Sequence, residues 1–323
     1  MTGNGGPKRA DRLIYRGDGQ PHDGIRELPE PPPWRRFDPR SGRFGAGRAY
    51  QIGPTEIEII NIALHLRRPL LITGKAGTGK TSLAHNIAHE LGLGPVLKWS
   101  ITSRSTLAGG LYHYDALGYF QAAGAAAAES IPADIGRYIR LGPLGTALLP
   151  QEQPRVVLID ELDKSDFDLP AELLTVFDDG QFSIPELERL PADQFPVEVL
   201  TADHQERALL REGRVACAAF PLVVITSNGA RELPLSFLRW CVQLELKQPG
   251  RDKLAAIVRA HMGPEALEKS RDFMDKHFDS FDRGEITTDQ FLNAVYLVAL
   301  GRQPPEDQLS EIVLRPASTA NRR

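Results

Sequence analysis

Apolar residues follow two rhythms along this chain, and the change between them divides it. Leu70-Leu71-Ile72, Val156-Val157-Leu158-Ile159 and Leu222-Val223-Val224-Ile225 are short continuous apolar runs, which suit strands covered on both faces. Residues 97–101 predict another strand, and Val242-Gln243-Leu244-Glu245-Leu246 alternates like a fifth. Helical spacing appears at Ile57, Ile60, Ala63 and Leu64 after Pro54, and again over 82–91. A parallel sheet with flanking helices is the fold class this predicts, an α/β core over 49–248. After Pro249-Gly250 only the helical period remains. It is carried by Leu254, Ile257 and Val258, by Leu267, Phe273 and Phe278, and by Phe291, Leu292, Val295, Val298 and Ala299, with a last short helix expected over 306–313. Residues 249–314 thus read as a small all-helical domain. Residues 1–48, rich in Gly, Pro and Arg without periodicity, read as disordered or extended, with Trp34 and Phe37 as candidate anchors, and 315–323 as a disordered tail.

Composition narrows the function classes. The 323 residues carry a net charge of −4, which supplies no basic field for nucleic acid. No apolar run approaches the ~20 residues needed to span a bilayer, and the N-terminus has no apolar signal core. Two cysteines, Cys217 and Cys241, lack metal-site spacing and suit a reducing compartment. A cytoplasmic protein without membrane or nucleic-acid partners is the expectation.

The chemistry is concentrated at the ends of the predicted strands. Gly74, Lys75, Ala76, Gly77, Thr78, Gly79, Lys80 and Thr81 spell a phosphate-binding loop between a strand and a helix. Its glycines let backbone N–H groups turn around a polyphosphate, and the following helix, which begins with Ser82 in its first turn, aims its positive end at the same anion. Lys80 can reach the β and γ phosphates of ATP, and the Thr81 hydroxyl can coordinate Mg²⁺. Asp160, at the end of a buried strand, can hold that metal, and Glu161 can polarise the attacking water. The competing reading of this pair is a solvated acidic turn. Asn228 ends the next strand, where it can orient the water, although Asn228-Gly229 is also a turn signal. His85 and His89 lie four apart without a third metal ligand, and the calcium-loop pattern beginning at Asp279 fails where Gln290 replaces the bidentate Glu.

Phosphate loop, acidic pair, sensor asparagine, arginine-bearing helix and helical domain, in this order, resemble the AAA+ ATPases. Within them Gly142-Pro143-Leu144-Gly145-Thr146 and Glu232-Leu233-Pro234-Leu235-Ser236-Phe237-Leu238-Arg239 are similar to the MoxR branch. Gly110-Leu111-Tyr112-His113-Tyr114-Asp115-Ala116 and Thr288-Asp289-Gln290-Phe291-Leu292-Asn293-Ala294 resemble a bacterial set associated with von Willebrand A domain proteins. The resemblance implies a P-loop core with a helical lid, and a homo-oligomeric ring, a hexamer, that hydrolyses ATP to remodel or activate a protein client. It also implies an arginine acting on a neighbour's site. The MoxR pattern would put that arginine where this chain has Trp240, so either Arg239 or Arg231 takes the role or activation across subunits is weak, and no lid arginine is evident among 287–301. A slowly hydrolysing regulatory switch, in a bacterial defence setting, is the alternative. Tyr112, Tyr114 and Tyr119, in an insert over 104–155, either grip a peptide or pack the insert, with packing favoured; 182–213 is expected to form a hairpin with a short helix.

Overall fold

A computed structural model of the chain describes residues 14, 23–35, 37–38, 42–43, 52–129, 134–203, 206–301 and 314. It contains two compact units, Ile52–Lys247 and Met1–Gln51 with Gln248–Arg323.

In Ile52–Lys247 the continuous apolar runs become the interior of one sheet. β1 (Leu70–Thr73), β2 (Leu97–Ser100), β3 (Val156–Asp160), β4 (Leu222–Ser227) and β5 (Val242–Glu245) lie in the order β5-β1-β4-β3-β2. Every neighbouring pair is parallel. Every residue of β3 and β4 is buried, which is why these strands contain no alternation. Helices α1 (Pro54–Leu66), α2 (Lys80–Glu90), α3 (Leu169–Asp179) and α4 (Leu235–Trp240) belong to the same unit. Leu71, Val157, Ile159, Leu173, Ile225 and Phe237 form part of one cluster, each worth ~1.5–3 kcal/mol of burial. β2 ends one residue short of the expected 97–101, yet Ile101 N still donates to Asp160 O at 2.9 Å. This strand order sets β4 between β1 and β3. The carboxyl ends of three adjacent strands therefore border one crevice, the usual ligand position in an open α/β sheet.

The two inserts share a second sheet. Ile139–Leu141 pairs antiparallel with Tyr112–Tyr114 and touches Val197–Leu200 in parallel through Arg140 and Leu200. Val197–Leu200 forms the expected hairpin with Arg207–Leu210, and the short helix is Pro185–Glu188. Tyr112 stacks on Phe182 with centroids 6.4 Å apart and donates its hydroxyl to Glu186 Oε2 at 2.9 Å. Tyr119 packs between Tyr114 and Tyr138. The tyrosines hold the insert together.

The other unit packs α5 (Arg251–Met262), α6 (Pro264–Asp282) and α7 (Thr288–Ala299) around Leu254, Val258, Phe273, Phe281, Phe291 and Val295. Gln290 closes a capping box, its Oε1 accepting from Thr287 N at 3.0 Å, which gives this residue a structural duty at the start of α7. Trp34 Nε1 donates to Asn293 Oδ1 at 3.0 Å, and the indole packs edge-on against His261 and Tyr296. This ties 23–35 to the helices through Trp34, one of the two candidate anchors. The Phe37 side chain, the helix expected over 306–313 and the tail from 315 lie outside the described residues.

Candidate functional site

The loop after β1 folds as its glycines require. Gly74 has φ +142°, and a Cβ there would lie 2.4 Å from Leu246 O, so no other residue fits. Gly79, at φ +91°, leads into α2, whose first turn contains Lys80, Thr81 and Ser82. Lys75, Ala76 and Gly77 are exposed at the loop's tip, and Thr78 bonds back through Oγ1 to Lys75 O at 3.0 Å. Lys80 is buried, and its ammonium donates to the carbonyls of Gly74 at 2.7 Å and Lys75 at 2.8 Å. Burial lowers its pKa, against the opposing pull of Asp163, Asp160 and Glu161.

Asp160 ends β3 as a hub. Its Oδ1 accepts from Thr81 Oγ1 at 3.0 Å and from Thr226 Oγ1 at 2.7 Å, and its Oδ2 lies 2.7 Å from the Lys98 ammonium. Burial would raise this carboxyl's pKa; Lys98, Thr226 and Thr81 together hold it below the ordinary carboxylate value. Mg²⁺ takes hard oxygen ligands and retains several waters. Thr81 Oγ1 and Asp160 Oδ1, 3.0 Å apart behind the phosphate loop, fit that donor set. Among the described residues no group of three or more His, Cys, Asp or Glu could cage a metal, so the remaining ligands would be phosphate and water.

Glu161 turns away from the strand through a left-handed backbone, φ +64° and ψ +50°, a conformation costing about 1–2 kcal/mol in a residue with a side chain. The turn is secured because Glu161 N donates to Thr226 Oγ1 at 2.8 Å. Its Oε1 accepts from Asn228 Nδ2 at 3.1 Å, and its Oε2 meets Lys164 Nζ at 2.5 Å. This contact raises the Lys164 pKa. Lys80, Thr81, Asp160, Glu161 and Asn228 therefore form one connected constellation through hydrogen bonds and the field at Lys80.

Arg239 stands apart. It lies exposed in the last turn of α4, with no hydrogen bond or ion pair among the described residues. Arg231 is engaged within the chain, donating to Ser165 O at 2.8 Å. Arg140 donates to Thr201 O, and Arg137 pairs with Asp134.

Three participants escaped the sequence reading. Thr226 ties both acids together, and the only hint was a hydroxyl in an apolar strand. Asp163, 3% exposed, accepts from the backbone N–H groups of Asn228 and Ala230 at 3.2 and 2.9 Å, so it fixes the loop presenting Asn228. Its signal was a third acid two residues beyond Glu161. Lys98 occupies a position in β2 that reads as solvated.

Residues 70–217 match the family model described as ATPase family associated with various cellular activities (AAA); Asn228 and Arg239 lie beyond the matched stretch. A search of curated proteins returned no match. Among solved structures the chain is similar to NtrX from Brucella abortus, in a crystal structure of its complex with ADP, at 15% identity and a TM-score of 0.41. That alignment covers 85% of this chain and 57% of the NtrX chain.

Proposed function

We propose that the AAA ATPase domain of this chain uses the loop 74–81, Asp160, Glu161 and Asn228 to bind Mg-ATP and hydrolyse it, and that a MoxR-like ring couples this turnover to remodelling or activating a protein partner. The hydrogen bond from Asn228 Nδ2 to Glu161 Oε1 carries the reading. It sets a neutral donor beside a carboxylate, one strand away from the phosphate loop, as activation of a water requires. Lys80 would exchange its loop carbonyls for β and γ phosphate oxygens. Ser82 stands in the first turn of α2, where the dipole favours the anion. Mg²⁺ held by Thr81 and Asp160 would neutralise charge on the bridging phosphates. Glu161 would take the proton of the attacking water, and Asn228 would hold that water in line.

The exposure of Arg239 suits an arginine offered to the site of a neighbouring copy, which is what a homo-oligomeric ring needs. A von Willebrand A domain protein is the partner favoured by the motif strings around Tyr112 and Asn293. Among the described residues no helix is long and apolar enough to cross a membrane.

Glu161→Gln tests this directly. The variant should bind ATP as the parent does while phosphate release falls by about 10²–10⁴-fold, the usual worth of a general base. Unreduced release would remove Glu161 from the reaction. A second reading, an ATP-dependent switch with slow turnover, draws on Lys164. With Asn228 on one oxygen and Lys164 on the other, the base is occupied until something withdraws the lysine. Lys164→Ala should then raise the basal rate severalfold.

A further inference from the structure

We infer that Lys98 serves the phosphate site as a built-in cation, neutralising Asp160 so that ATP is held with little dependence on Mg²⁺. The inference rests on the reading that the loop 74–81 binds ATP.

Asp160 Oδ1 is shared by two hydroxyls, while Oδ2 is given to the Lys98 ammonium at 2.7 Å. The lysine comes from β2, the sheet's edge strand, and its side chain is 42% exposed against 12% for the carboxylate it covers. Three acids, Asp160, Glu161 and Asp163, stand at and just after the end of β3. Glu161 has Lys164, and Asp163 Oδ2 has two backbone N–H groups. Asp160 is the acid bonded to Thr81, in the first turn of the helix that faces the expected phosphates. Without Lys98 it would present an uncompensated carboxylate to a polyanion. Charges within ~10 Å at a partly solvated site change affinity by roughly tenfold each. Lys98 removes that repulsion without a metal. The same ion pair, made at Oδ2, lowers the negative charge that Asp160 offers a cation at Oδ1, so it also reduces what Mg²⁺ adds.

If Lys98 instead only tied β2 to β3, its loss would weaken the fold and depress nucleotide binding equally with and without metal. Calorimetric titration of ATP into the full chain, in excess Mg²⁺ and in EDTA, separates these outcomes for the parent, Lys98→Met and Lys98→Arg. The parent should bind ATP in EDTA. Lys98→Met should lose about tenfold there, yet stay within about threefold of the parent in Mg²⁺, because the metal then neutralises the unpaired Asp160; Lys98→Arg should restore metal-free binding. Equal loss in both conditions, an unchanged affinity in EDTA, or a parent that binds only Mg-ATP overturns the role of Lys98 alone. A parent that binds ATP in neither condition overturns the nucleotide reading of the loop, and the Lys98 role with it.

Discussion

The Asn228 amide reaches Glu161 Oε1 at 3.1 Å across 67 positions of sequence, so the end of β4 aims the acid at the end of β3. Asn228→Ala deletes this donor and leaves the phosphate loop untouched. Phosphate release should fall by about 10–100-fold, as for loss of one oriented hydrogen bond, with ATP affinity within about threefold of the parent. A variant that binds ATP poorly would show that Asn228 holds the site's shape rather than its water.

Arg239 should act across subunits. Arg239→Ala ought to lower turnover by ~10³-fold or more while preserving ATP binding, the scale found for arginines that stabilise a transferring phosphoryl group. Glu161→Gln copies retain Arg239, and Arg239→Ala copies retain Glu161. Mixing the two inactive proteins should therefore restore part of the activity. A mixture as inactive as its components would argue that the arginine works within its own chain or not at all.

The conformation of the loop 74–81 was legible in the sequence because its geometry is local. Glycine spacing, one lysine and the strand and helix on either side of it are all contained between Leu70 and Glu90. Asp160 and Glu161 were legible because two consecutive acids closing a fully apolar strand must sit where the sheet opens to solvent or ligand. Lys98, Thr226 and Asp163 were not, since their roles arise from the sheet order. Only when β4 lies beside β3 does a β4 hydroxyl meet the Asp160 carboxylate and the Glu161 backbone N–H, and only an edge strand beside β3 brings a lysine to Asp160. Asp163 needs the loop after β4 to fold back before its carboxylate has a purpose. The insert over 182–213 was legible as hairpin and helix, but its pairing with the insert over 104–155 was not, because the pairing of Arg140 with Leu200 spans sixty positions that contain β3 and α3.

Tyr112 offers a pH test of its packing role. Burial and the hydrogen bond to Glu186 push its pKa from 10.0 up to about 12. Below pH 10 the phenol is protonated in both folded and unfolded chains. Between 10 and 12 the unfolded chain releases the proton while the folded one keeps it, so stability falls across that window. Tyr112→Phe should cost about 1 kcal/mol at pH 8, and the gap should close as pH rises toward 12. Denaturant midpoints of both proteins from pH 8 to 12 provide the comparison; a constant gap would mean that the hydroxyl is not held in the fold.

Binding of ATP with Mg²⁺ to the purified chain, followed by calorimetry against Lys80→Ala, goes to the centre of the reading. The parent should give a saturable heat at one site, and the alanine variant should bind roughly a hundredfold more weakly, for the loss of two charge-assisted hydrogen bonds at about 1.5 kcal/mol each. No saturable heat from well-folded parent protein, or equal affinity in both proteins, would contradict it.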